Sequence, residues 1–311
     1  MGVHRRGYRQ YDGPRTPERW RFWILARFAL GRVFQSRLLV IFYVLCFVPT
    51  LVALAGIYIS HNVELLASLF PRSPFGTGRV GDGDLISVNA EFFLTLMTIQ
   101  SVLSVFVTAL IGPGLVSPDL TNNALPLYLS RPFSRVEYVI GKISVLFILL
   151  SLITMTPLLL LYGVKSSLAG WSWFIENIHL AYAVGLGSLI WVALISLVAL
   201  ASSAWVRWRP AAAGMLFALF FIPAGFGQAA NEILLMGWGS LLNAGVVIGT
   251  LWNSLFYLND PAGYASAARR LNPVNFAPPI PAWSAWLTVA AVCGLSLLLL
   301  NRKIRAHEVV R

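Results

Sequence analysis

An all-α polytopic membrane protein with six transmembrane helices is the fold class this sequence predicts, and three observations carry it. Of its 311 residues, 58% are hydrophobic and only 11% charged, with a mean hydropathy of +0.74, too few charges to cover a soluble globule of this length. The apolar residues gather into runs of about 20, the length a bilayer core demands of a helix. The basic residues sit in the gaps between those runs. A net charge of +11 would suit a nucleic-acid partner only if it lay on a polar domain interleaved with aromatics; here lipid headgroups and topology account for it, and no nucleic acid is expected. Cys46 and Cys293 lie far apart, each within an apolar run, which indicates neither a disulfide framework nor a metal site.

Taken in order, residues 1–16 are rich in Arg, Gly and Tyr and read as a disordered basic tail. No short apolar core with a small-residue cleavage site precedes the first span, which argues against a cleavable signal. Over 17–37 the composition turns helical. Trp20, Trp23, Leu30 and Phe34 share a stripe while Arg21 and Arg32 lie away from it, so the spacing predicts an amphipathic helix in the membrane interface. Arg27 lands within the stripe and has to snorkel. Trp20, Trp23, Arg21, Arg27 and Arg32 are thus the expected contacts with membrane lipids.

The transmembrane domain is expected over 38–300, with spans at 38–60, 92–111, 143–162, 178–204, 211–231 and 283–300. Lys and Arg set its orientation. Arg5, Arg6, Arg9, Arg15, Arg19, Arg21, Arg27, Arg32 and Arg37, then Arg131, Arg135, Lys142, Arg207, Arg209, Arg302, Lys303, Arg305 and Arg311 fall on one side, and only Arg72, Arg79, Lys165, Arg269 and Arg270 on the other. The positive-inside bias then places both termini, including a basic tail at 301–311, in the cytoplasm of a multi-pass protein of the inner (cytoplasmic) membrane. That requires an even number of spans. The apolar stretch 233–258 would break the parity if it crossed alone. Its Gly237, Gly239, Gly245 and Gly249, with Asn243 and Asn253 among them, predict broken helices that enter from the outer face and return, tolerable where they are buried in protein or line a cavity. The prolines at 273, 278, 279 and 281 predict an extended connector into the last span.

Chemistry-bearing residues are sparse. No Asp, Glu, Lys or Arg lies near the centre of a span, where it would mark an ion or proton path. Gln100, Ser101, Ser104, Ser151, Thr154, Thr156, Gln228 and Asn231 are assigned to helix packing. Gly187-Ser188 is assigned the same role, because His179 near the outer end of that helix stands at the wrong depth to serve the serine as a base. Asp82-Gly83-Asp84 has too few oxygens for calcium and reads as a solvated turn. The sequence carries no G-x-x-x-x-G-K-[ST] phosphate loop.

One polar segment stands out, GPGLVSPDLTNNALPLYLSRPFSRVEYVIGK over 112–142. Ser117, Pro118 and Asp119 supply a cap, a first-turn proline and a first-turn acid, predicting a short helix that begins at Pro118. Pro126 ends it. Ser134-Arg135-Val136-Glu137 predicts a capping box that starts the next helix about two turns before lipid, leaving residues 134–142 as a stiff post.

Asp119, Asn122-Asn123-Ala124-Leu125-Pro126-Leu127-Tyr128, Leu129-Ser130-Arg131-Pro132, Ser134-Arg135, Tyr138 and Gly141-Lys142 resemble the cytoplasmic loop of the permease subunit of ABC-2 type ATP-binding-cassette transporters. The resemblance covers about a tenth of the chain. It implies an exporter of a lipid-like or amphiphilic substrate or drug, not catalytic by itself, that relies on a separate cytosolic ATPase subunit to bind ATP and Mg. It implies an elbow helix before the first span, a coupling helix between spans two and three, short outer-face helices between spans five and six, and pairing with a second or similar permease as homodimer or heterodimer. The expected ATPase-coupling interface is Pro118, Asp119, Asn123, Leu125, Pro126, Tyr128, Arg131, Pro132, Arg135, Glu137, Gly141 and Lys142, with Asp119, Arg131, Arg135 and Glu137 pairing across the junction. The rival reading is a non-transport scaffold or assembly factor whose basic loops recruit a cytosolic protein.

Overall fold

The computed structural model describes residues 21–61, 88–122, 134–206, 208–234, 237–257 and 280–305, apart from the side chains of Arg21, Leu120, Arg135, Arg209, Leu234, Ile304 and Arg305. All regular structure among them is helical. Six helical stretches are long and apolar enough to cross a bilayer, Arg37–His61, Ala90–Asp119, Val136–Ala169, Ile178–Trp205, Pro210–Ile233 and Ala282–Lys303, the architecture of an all-α polytopic membrane protein. The expectations for residues 1–20, for the Asp82-Gly83-Asp84 turn and for the connector over 272–279 fall outside the described residues.

Prolines decide where the spans bend. The first is two helices, α1 at Arg21–Val33 being followed by α2 at Arg37–Leu45 and α3 at Val48–His61. Pro49 has no amide to give the Leu45 carbonyl, so the chain breaks at Cys46 and Phe47. Gln100 bridges this joint from α4, its Nε2 donating to the Cys46 carbonyl at 3.2 Å and to Thr50 Oγ1 at 2.8 Å. The third span divides in the same way, α6 at Arg135–Ile153 meeting α7 at Met155–Ala169 at Thr154, three residues before Pro157. Between them in sequence lie α4 at Ala90–Ile111, capped by Asn89, and α5 at Pro113–Thr121.

After α7 comes a short helix with no counterpart in the sequence reading, α8 at Trp171–Glu176. Gly170 turns the chain with φ of 94°, the left-handed region that favours glycine. Tyr162 holds α8 against α7, donating from its hydroxyl to the Phe174 carbonyl at 2.9 Å. Then follow α9 at Ile178–Trp205, α10 at Arg209–Leu234, a 3₁₀ turn at Gly237–Leu242, α11 at Ala244–Leu255 and α12 at Ala282–Arg305.

The bundle is arranged around α9, which packs on α4, α5, α6, α7, α10, α11 and α12. Its most apolar window is 61% buried within the chain, against 17% for α10 and 28% for α12, so α10 and α12 are flanking helices with apolar outer faces. Among the described residues of the 233–258 stretch, Ile233 and Leu234 close α10, and the 3₁₀ turn and α11 follow as separate short elements. Gly227 and Gly239 bring α10 and the 3₁₀ turn into backbone contact, where a Cβ on either would collide with the other's carbonyl oxygen. Asn231 locks the turn by accepting from the Gly239 amide at 2.7 Å and donating to Ser240 Oγ at 2.9 Å. Helix α11 then packs inward until Trp252 Nε1 reaches the Gly187 carbonyl at 3.1 Å. Gly187 has no room for a Cβ between Met97 and Trp252, which gives that glycine the packing role. Similarly, Ser104 accepts from Trp191 Nε1 at 2.7 Å.

Candidate functional site

Close contacts gather where α5 meets α6 and α9. Here the prediction of a helix starting at Pro118 is corrected, because α5 begins five residues earlier at Pro113. Gly112 keeps right-handed helical angles, φ −52° and ψ −49°, and Pro113 supplies the first-turn proline that Pro118 was expected to be. Pro118 sits inside the helix, and Gly114, whose carbonyl loses its partner, is exposed. Ser117 therefore lies inside α5. Its buried amide donates to Ser203 Oγ at 3.0 Å, and that hydroxyl lies 3.4 Å from the Pro113 carbonyl. One serine of α9 thus inserts into the backbone ladder of α5. A turn earlier, Gly112 lies against Ala199, whose Cβ would stand 3.1 Å from an added one. Small residues on α9 are what let α5 approach so closely.

On its other side α5 is tied to α6 by charge. Asp119 Oδ2 lies 2.8 Å from Lys142 Nζ and accepts from Tyr138 Oη at 2.9 Å, and the Lys142 ammonium stands 5.5 Å from the Tyr138 ring centroid. Tyr138 and Lys142 are four apart and share one face of α6. The side chains of Lys142 and Asp119 are only 7% and 12% exposed, so this pair is desolvated and each charge depends on the other. Within the chain the partners of Asp119 are Lys142 and Tyr138. Extending α5 to Pro113 turns Asp119 from a first-turn acid into one that faces α6.

The capping box is present as the sequence predicts, Ser134 N donating to Glu137 Oε2 at 2.6 Å and Glu137 N to Ser134 Oγ at 3.2 Å. Glu137 accordingly serves the start of α6. Ser134 is the extended N-cap and residues 135–142 are the first turns of α6, which ends at Ile153, short of the whole third span. Gly141 is a point of close approach. A Cβ there would meet the Phe22 carbonyl at 3.0 Å and the Leu25 side chain at 3.1 Å, so Gly141 is where α1 lies down on α6.

That contact shows why the stripe on α1 was only half read. The face toward α6 and the core is Leu25, Ala26, Ala29, Leu30 and Val33. Trp23, Ile24 and Phe28 are exposed on the other side, with Arg27 and Arg32 also exposed. Two apolar faces on one helix cannot be separated from a single periodic pattern. Asn123, Leu125, Pro126, Tyr128, Arg131 and Pro132 lie outside the described residues, as do Trp20 and the side chains of Arg21 and Arg135.

Together these contacts put α1, α5, the start of α6 and the last turns of α9 and α12 at one end of the bundle, since Lys303 Nζ stands 5.2 Å from the Trp205 ring. The end of α9 was invisible as a site in sequence, because Ala199 and Ser203 look like ordinary small residues of a span. No family model and no curated protein matches this sequence.

Proposed function

We propose that this chain is the membrane subunit of an ABC-2 type exporter, driven by a separate cytosolic ATPase and moving a lipid-like or amphiphilic substrate across the cytoplasmic membrane. What supports this is the sequence resemblance over 112–142 together with one structural observation. The segment that would receive the push is braced on both sides, by the buried Asp119–Lys142 pair to α6 and by Ser203 to α9. Braced elements transmit displacement as rigid bodies, because packed interfaces shift between discrete arrangements rather than deform. In this reading the ATPase docks on the loop that follows α5, the termini face the cytoplasm, and closure on ATP moves α5, α6 as far as Thr154, and the last turns of α9 together. A second permease copy or a similar chain completes the pathway.

The test starts from native membranes. The full chain, purified from them, is expected to bring a cytosolic ATPase with it. In the reconstituted complex, Gly141→Leu should leave ATP hydrolysis within about twofold of wild type while lowering export about tenfold, because it lifts α1 from the lever without touching nucleotide. Purification without any ATPase, or labelling that places Asn123 and Arg131 outside the cell, overturns the proposal. A non-hydrolytic cytosolic companion would instead support the scaffold reading.

A further inference from the structure

Helices α10 and α12 both pack on α9, and a gap lies between the three. The gap is a cavity of about 550 Å³. Its floor is α9 from Leu194 to Trp205, its walls include Leu219 and Pro223 of α10 and Val292 and Leu295 of α12, and Leu241, Leu242 and Val247 close it at the far end. Leu194 to Trp205 is eleven rises of about 1.5 Å, or about 16 Å. One leaflet of a bilayer core is about 15 Å deep. The cavity therefore has the length of a single leaflet, on the termini side, with a lining that is almost wholly apolar.

Its mouth is different in kind. Trp205 lines the cavity at that end and carries the Lys303 ammonium 5.2 Å from its ring centroid; Arg302 beside it is exposed. An apolar slot one leaflet deep with a basic, aromatic rim matches one chemistry closely, a hydrocarbon chain bearing an anionic head at the interface.

The geometry points to a bound anionic phospholipid of the leaflet on the termini side, one acyl chain between α10 and α12 and its phosphate at Lys303 and Arg302. This site stands apart from the exporter reading and needs no ATPase. It also shares a helix with the brace, because Ser202 faces the cavity while the next residue, Ser203, holds α5.

The full chain in phosphatidylcholine vesicles containing phosphatidylglycerol, the latter carrying a diazirine midway along one acyl chain, tests it. After illumination, adducts at Leu219, Val292 and Leu295 should exceed those at the outward-facing Leu51 and Val52 at least fivefold. Moving the diazirine to phosphatidylcholine should cut cavity labelling about fivefold, the ratio that one basic residue gives at an anionic surface. Lys303→Gln should erase that headgroup preference. Val292→Trp and Leu295→Trp, tested separately, should each abolish cavity labelling while Leu51 and Val52 remain labelled, which shows that the chain is still folded and inserted. Equal labelling of cavity and outer face, or no headgroup preference in wild type, overturns the site. So does covalent dimerisation through Val292→Cys and Leu219→Cys, which would put a second copy in the slot.

Discussion

The two sides of α9 could hardly be packed more differently. Toward α5 it presents Ala199 and Ser203, the serine accepting from a backbone amide of α5, which is itself held to α6 by a buried ion pair and a tyrosine hydroxyl. Toward α10 and α12 it presents Val198, Ser202 and Trp205 to a cavity. Residues 202 and 203 belong to opposite regimes although they are adjacent, because successive positions on a helix point about 100° apart. The lesson is that one rigid helix joins a region fixed by specific polar contacts to a region held open by missing ones.

Breaking that contrast from the locked side should give the largest effect. Lys142→Met leaves Asp119 buried without its counter-ion and is expected to lower unfolding free energy by about 3–5 kcal/mol. Adding Asp119→Leu should restore most of it. Denaturant unfolding of the purified chain in detergent measures both, and an indifferent single variant would mean the pair is not desolvated. At the far end of the cavity, Gly227→Ala forces a methyl against the Gly239 carbonyl, an overpacking cost of about 1–3 kcal/mol that should also loosen the wall formed by Leu241 and Leu242.

Smaller effects sharpen the picture. Ser203→Ala removes the hydroxyl that serves the Ser117 amide and should cost about 1–2 kcal/mol, with faster hydrogen exchange confined to α5. Ser134→Ala removes one half of the capping box, for about 1 kcal/mol, and should fray only the start of α6. On the open side, Val292→Ala should change stability by no more than about 0.5 kcal/mol, since that side chain already faces a gap. A cost comparable to Ser203→Ala would show that the cavity closes in the folded chain.

Much of the fold was readable from the order of residues. Each of the six apolar runs falls on a helical stretch long and apolar enough to cross a bilayer, the second stretch continuing about two turns past its run and the third about two turns before and two turns past its own. The capping box at Ser134 and the broken character of 233–258 were also legible, because capping and glycine spacing are local signals. What was misread depended on distant partners. Ser117-Pro118-Asp119 has the local grammar of a helix start, yet Ser203 and Lys142 draw those residues into a longer helix. The joints at Cys46 and Thr154 follow from Pro49 and Pro157, but the bridging of the first by Gln100 does not. Helix α8 is six residues long, below the length at which a periodic pattern declares itself.

By itself the sequence determined that the chain forms six apolar helices, where most of them begin, and which segment between them is unlike the rest. Those properties follow from composition and from interactions within a few residues. Only the tertiary structure decided that Asp119 and Lys142 neutralise each other, that Gly141 is a landing for α1, and that α10 and α12 part to leave a slot. Each of these depends on which faces of helices far apart in sequence come to rest together, and that choice belongs to packing of the whole bundle rather than to any one stretch of it.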